Sequence, residues 1–315
     1  AQLGGVIGTA AALGAALYAG PVKKAAEFQA QMSTVQALSG ATGSDLAKLT
    51  ALAKEMGATT QFTAVESGKA LEYMAMAGWK TNQMIAGLPG IMNLAAASGE
   101  ELGIVSDIVT DALTALGMTA DDTGRFVDVL AAAATSSNTN VSGLGEAFQY
   151  VASTAGALGY TAEDLAVALG VMANSGVKGS QAGNSLKTAL SRMAAPTTAM
   201  KSAMDQLGIS MTDEYGNTKS LMEVMKNLRN SIGSVGVELV DADGNLREYE
   251  DIIAELSKTT EGLSKVQQIE AASTIFGKNA MAGMLSIVNA TDADFQSLTE
   301  SIYGSAGAAE RMAAI

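Results

Sequence analysis

Three times in this sequence a glycine, a bulky apolar residue and a threonine come together: Gly78-Trp79-Lys80-Thr81, Gly117-Met118-Thr119 and Gly159-Tyr160-Thr161. The first carries one extra residue, and the glycines stand 39 and 42 residues apart. Glycine adopts the left-handed conformation just past a helix end, and an apolar residue after it folds back on the last turn. Threonine then caps the next helix, and Asp122 and Asp164 lie three residues beyond Thr119 and Thr161, where acids favour a helix N-terminus. The downstream helices end in related text, Ala97-Ser98-Gly99, Thr135-Ser136-Ser137 and Asn174-Ser175-Gly176. The pattern predicts three stacked αα-hairpins of roughly 40 residues, the scale of helical repeat arrays.

The flanking text extends this all-α reading. Val105, Ile108, Val109, Ala112 and Leu116 form one apolar helical face, and proline occurs only at 21, 89 and 196. Thr63-Ala64-Val65-Glu66 has the form of a capping box opening a helix with Leu71 and Met74. After Pro196, Asp213-Glu214-Tyr215-Gly216-Asn217 and Asp241-Ala242-Asp243-Gly244-Asn245 are turn sequences beside β-tolerant residues. They predict one or two small β-hairpin insertions in the C-terminal third. The expected division is 1–56, Ala/Gly-rich N-terminal helices; 57–196, the helical-hairpin core; and 197–315, a C-terminal helical region with hairpin-like turns.

Composition narrows the chemistry. Without Cys or His the chain has no disulfide, thiolate or imidazole metal ligand, and no catalytic triad that uses His. The formal charge is −13, and no run of Lys or Arg is longer than Lys23-Lys24, so no basic stripe exists to grip nucleic acid phosphates. Aromatics make up 4% of residues against 34 Gly and 17 Met, which predicts a core of closely approaching helices rather than large rings. The chain opens at Ala1, not Met, which suggests a fragment or processed product.

Several motifs that suggest chemistry have simpler readings. Counted from Asp241, a twelve-residue calcium loop needs Gly at position six and Glu at twelve, but Leu246 and Ile252 stand there, so a solvated turn is expected. Asp121-Asp122 and Glu163-Asp164 fall in first helical turns, where caps and the macrodipole explain them better than a catalytic pair does. The glycine-rich run Gly176 to Gly183 lacks the Gly-Lys-Ser/Thr ending and preceding strand of a phosphate loop. No catalytic, metal or cofactor-binding residue is assigned.

Two features point instead to contacts. Trp79, the only Trp, is either a staple on its own helix or an anchor for a partner. Gly4, Gly8, Ala12, Ala16 and Gly20 recur every four residues and give one helix a nearly bare side. That side suits packing within the chain, self-association or insertion into lipid. The uncharged segment Leu3–Gly20 just reaches the length of a membrane span but is poor in Leu, Ile and Phe, and no basic segment precedes it as in a signal peptide.

Certain words then carry a family resemblance. Gly57-Ala58-Thr59-Thr60-Gln61-Phe62-Thr63-Ala64-Val65-Glu66 resembles the opening of the core region of phage tail tape measure proteins, also called minor tail proteins. Ala75 to Thr81, Leu88-Pro89-Gly90, Asn138-Thr139-Asn140-Val141, Met172 to Gly183, Ala195-Pro196 and Ile275-Phe276-Gly277 follow in the family's order. Asn184 replaces an expected Thr, and Val235 to Glu250 looks like a local elaboration. The resemblance implies a non-enzymatic virion protein whose length sets tail length, which occupies the tail tube or tip and leaves before or with the DNA, assisting its passage into the host. It implies other copies of the chain in a trimer or hexamer, tail tube, tail tip or baseplate proteins and assembly chaperones as partners, a host membrane on ejection, and no specific nucleic acid. A membrane-active conduit inserting Leu3–Gly20 is the alternative reading.

Overall fold

Each repeated junction reverses the chain by one piece of backbone chemistry. A computed structural model describes residues 3–232 and 265–313, with only the backbone helix described for 3–20 and 265–268. Gly78, Gly117 and Gly159 have φ of 80°, 71° and 78°. The N–H groups of Trp79, Met118 and Tyr160 reach back to the carbonyls of Met74, Leu113 and Ala155 at 3.0, 2.9 and 3.0 Å. These are the six-to-one bonds of a Schellman ending, in which the apolar residue covers the last turn. The same bond recurs from Val177 to Met172 and from Ile209 to Met204, both at 2.9 Å.

The junctions close the three expected hairpins: α3 (Ala64–Met76) with α4 (Thr81–Ser98), α5 (Leu102–Leu116) with α6 (Thr123–Ser136), and α7 (Val141–Ala157) with α8 (Ala162–Asn174). Thr63 and Thr161 form capping boxes with Glu66 and Asp164. Two starts differ in detail. Thr119 and Asp122 cap a single 3-10 turn, Ala120–Asp122, ahead of α6. At the first junction the extra residue puts Lys80 in the cap position, its N–H donating to the Gln83 side chain at 2.8 Å, and Thr81 becomes the first helical residue.

The hairpins stack in two layers. Helix α1 (Leu3–Ser39) packs on α3, and α3, α5, α7 and α9 (Gly179–Ala194) follow side by side; α2 (Ser44–Thr59), α4, α6 and α8 form the second layer. Helices α1 and α4 run through Pro21 and Pro89, whereas α9 ends ahead of Pro196. A contiguous set of buried residues extends from Met32 to Ala309. Phe126 and Phe148 meet edge to face at 5.5 Å between α6 and α7. In the α5–α7–α9 layer, glycines bring the backbones together. A methyl on Gly156 would stand 2.9 Å from the Ala115 carbonyl and one on Gly183 2.9 Å from the Ala147 Cα, while Gly145 makes room for the Ile108 side chain, 2.6 Å from where its methyl would be.

Beyond the stack lie α10 (Thr198–Gln206), α11 (Leu221–Ile232), α12 (Lys265–Phe276), α13 (Lys278–Val288), α14 (Asp292–Tyr303) and α15 (Ala308–Ala313). The β-hairpin expectation is corrected here. Thr212 and Thr218 form an isolated antiparallel bridge, and no strand occurs among the described residues. The Asp213 carboxylate accepts from the N–H groups of Tyr215 and Asn217 at 2.9 and 2.8 Å, and the Lys219 N–H donates to the Met211 carbonyl at 2.9 Å, but α11 starts at Leu221 and the pairing stops at one bridge. The Asp241–Asn245 turn lies outside the described residues. Helix α13 closes the end of the stack over α8 and α9, and α14 and α15 then run back across α8, α6 and α4.

Candidate functional site

The acids singled out in the sequence are held by structure. Asp122 accepts the Thr119 N–H at 2.8 Å, and Asp164 accepts that of Thr161 at 3.1 Å. Glu163, buried at the start of α8, receives both Nε and Nη2 of Arg125, at 2.5 and 2.7 Å. That hydrogen bond raises the Arg125 pKa, with the Glu163 charge adding to it against a smaller opposing effect of burial. The other Asp164 oxygen accepts the Tyr303 hydroxyl at 2.8 Å, and burial together with Asp164 pushes the Tyr303 phenol up. Burial, with the Asp164 charge, pushes the Tyr160 phenol up to about 12. Among the described residues, no cluster of three or more acidic or other ligating side chains could hold a metal ion.

Trp79 is 7% exposed, and its ring lies so close to Gly87 of α4 that a methyl there would stand 2.6 Å from the indole. The indole is therefore buried against the second helix of its own hairpin. Gly4, Gly8, Ala12, Ala16 and Gly20 lie along the first half of α1, where only the backbone helix is described. Pro21 to Glu27 of the same helix are exposed, with Val22 at 65%. Below them a groove of about 590 Å³ opens between α1 and α2, lined by Phe28, Met32 and Leu46 with Lys54 at its mouth. No helix among the described residues is long and apolar enough to cross a membrane.

The turns between hairpins gather along one edge. Thr60–Thr63, Gly99–Glu101, Ser137–Asn140 and Ser175–Lys178 connect α2 to α3, α4 to α5, α6 to α7 and α8 to α9. Adjacent turns are bonded to each other: the Asn138 N–H donates to the Asn174 side chain at 2.8 Å, and Asn140 Nδ2 to Glu100 Oε1 at 3.5 Å. A polar cleft of about 420 Å³ opens there among Asn138, Thr139, Asn140, Glu146 and Lys178. The glycine-rich run that resembles a phosphate loop serves this edge, with Gly176 and Gly179 in left-handed turns and Gly183 against α7.

Sequence reasoning missed the side chains that tie the last helices to the stack. Arg192 on α9 donates to the carbonyls of Thr274 and Ile275, both at 3.0 Å, at the end of α12. Arg229 on α11 donates to the Ala290 carbonyl at 3.1 Å and to Asp292 at 2.7 Å, with Phe295 under its guanidinium. Asp128 on α6 accepts the N–H groups of Gly307 and Ala309 at 2.7 and 3.0 Å. The partners lie 61 to 181 residues apart, beyond the reach of any local pattern.

Comparison with known proteins follows the same frame. The family described as phage-related minor tail protein matches over residues 50–238. The tape measure protein of Pneumococcus phage Dp-1 is 35% identical over 295 residues, 94% of this chain and 23% of that protein. The probable tape measure protein of Escherichia phage P2 is 24% identical over 207 residues, 65% of this chain and 25% of that protein. The chain thus spans about a quarter of the length of these relatives. No solved structure matches it.

Proposed function

Since this chain belongs to the phage-related minor tail protein family, we propose that it is the folded core of a tail tape measure protein, a structural part of the virion tail without enzymatic activity. In this reading the parent protein sets tail length, occupies the tail tube or tip and leaves ahead of or with the DNA. The observation that carries it is the 35% identity to a tape measure protein across 94% of the chain. A stack of hairpins suits the task, because helical units joined by short turns can be drawn out along one axis. Tail length in phage whose tape measure protein has lost or gained one hairpin period is the direct test.

The proposed partners are other copies of the chain in a trimer or hexamer, tail tube and tail tip or baseplate proteins, and assembly chaperones. The self-association face we assign is Gly4, Gly8, Ala12, Ala16 and Gly20. It is supported by the backbone helix that carries these residues through Pro21 into an exposed stretch. Light scattering across a concentration series is expected to give a closed trimer or hexamer that Gly8→Leu dissociates; a monomer at all concentrations would remove this face from the proposal. With a charge of −13 the surface repels DNA, so no retention of duplex DNA is expected at physiological salt, and tight binding would overturn that part. Entry of Leu3–Gly20 into a host membrane would show as liposome leakage lost when that segment is deleted.

A further inference from the structure

Helices α14 and α15 run against the direction in which the hairpins stack. Leu298 of α14 sits on Gly170 of α8, where a methyl would stand 3.3 Å from its Cδ2. The Tyr303 hydroxyl bonds Asp164 at the start of α8 at 2.8 Å. The chain then crosses to α6, where Asp128 caps the beginning of α15 through Gly307 and Ala309, and α15 ends against α4. Residues 292–313 therefore touch three successive hairpins. Phe295, Leu298, Ile302 and Ala309 are buried in this contact, Ala308 and Met312 pack against the same core, and polar bonds complete it.

A stack in which each hairpin touches only its neighbours opens one unit at a time. An element bonded to three hairpins removes that freedom, because no hairpin can leave without breaking its bonds to the element. We propose that residues 292–313 form a strap that locks the α3–α8 hairpins into one cooperative unit, with Asp128 as its release point. While the strap is seated the three hairpins open together; once it lifts, each opens with its own equilibrium. Asp128 holds this position because its carboxylate satisfies two backbone N–H groups at the start of the six-residue α15. The inference concerns the mechanics of the fold and stands independently of the tail role.

Hydrogen exchange read by mass spectrometry on the intact chain tests it. In the unsubstituted protein, amides of α4, α6 and α8 are expected to share one opening equilibrium. Asp128→Ala is expected to speed exchange in 292–313 roughly tenfold, the effect of losing a good helix cap, and to split the hairpins so that α4, α6 and α8 no longer share one rate. Tyr303→Phe removes only the hydroxyl and keeps the ring; it should produce the same split with a smaller change, and it carries the test if Asp128→Ala does not fold. Hairpins that already exchange in graded order in the unsubstituted protein would overturn the proposal. So would strap exchange that rises in either variant while α4 and α8 keep equal rates.

Discussion

Gly183 tests whether backbone contact between helices is built into the stack. In an ordinary exposed helix, Gly→Ala is favourable by about 0.8–1 kcal/mol, because alanine loses less backbone freedom. At Gly183 the added methyl would overlap the Ala147 carbonyl and stand 2.9 Å from its Cα and 3.0 Å from its carbonyl carbon. All three are backbone atoms, so no side chain can swing aside and α7 and α9 must separate. Overpacking that moves backbone costs about 3 kcal/mol at the upper end of its usual range, which leaves a net loss of about 2 kcal/mol. For a chain of 315 residues the midpoint of thermal unfolding should fall by roughly 3 °C. Gly124 is the matched control, with nothing within 4 Å of an added methyl, and Gly124→Ala should be neutral or gain up to about 1 kcal/mol. Helical circular dichroism during urea and thermal unfolding measures both. A Gly183→Ala protein as stable as Gly124→Ala would refute the argument that glycine is required there by contact.

Trp79→Ala should destabilise by about 3–5 kcal/mol, since it empties the space against Gly87, and the lone buried indole makes fluorescence a direct reporter of the α3–α4 hairpin. Arg125→Ala leaves Glu163 buried without its partner; because the Arg125 side chain is 54% exposed, the loss should be about 1–2 kcal/mol by chemical denaturation, below the usual range for a fully buried pair. The Tyr160 phenol, raised to about 12 in the folded chain, keeps its proton while the unfolded chain ionises near 10. The unfolded state then binds fewer protons, so stability present below pH 10 is lost as pH rises from 10 to 12, and Tyr160→Phe should flatten that part of the pH–stability curve.

The hairpins were legible because their signals are local. Glycine, apolar residue and threonine stand within a few positions of one another, and each makes its bond within six residues. The contacts that assemble the hairpins are not of this kind. Gly183 occupies a core-facing position within its helix, and a residue without a side chain on such a face is the one sign that a neighbouring backbone lies close. Asp128, Arg192 and Arg229 look like solvated charges in the sequence, because their partners are backbone groups far along the chain. The turn at Asp213 misled for a physical reason: Asp-Glu-Tyr-Gly-Asn specifies reversal equally well with or without strands on either side. Trp79 has the composition of a hot spot, and only its burial against Gly87 assigns the ring to the hairpin.

The central claim is that this stack is a length-bearing part of a tail. Removing residues 79–117 excises 39 residues and joins Gly78 directly to Met118-Thr119, so the glycine–apolar–threonine junction is rebuilt at the seam. If the hairpins open inside the tube and the segment contributes length as one continuous helix, tails should shorten by about 60 Å, at 1.5 Å per residue. If it is drawn out fully, they should shorten by about 130 Å. Electron microscopy of tails from phage carrying this deletion reads the difference directly. Shortening within that interval is the result expected, and assembled tails of unchanged length would contradict the account.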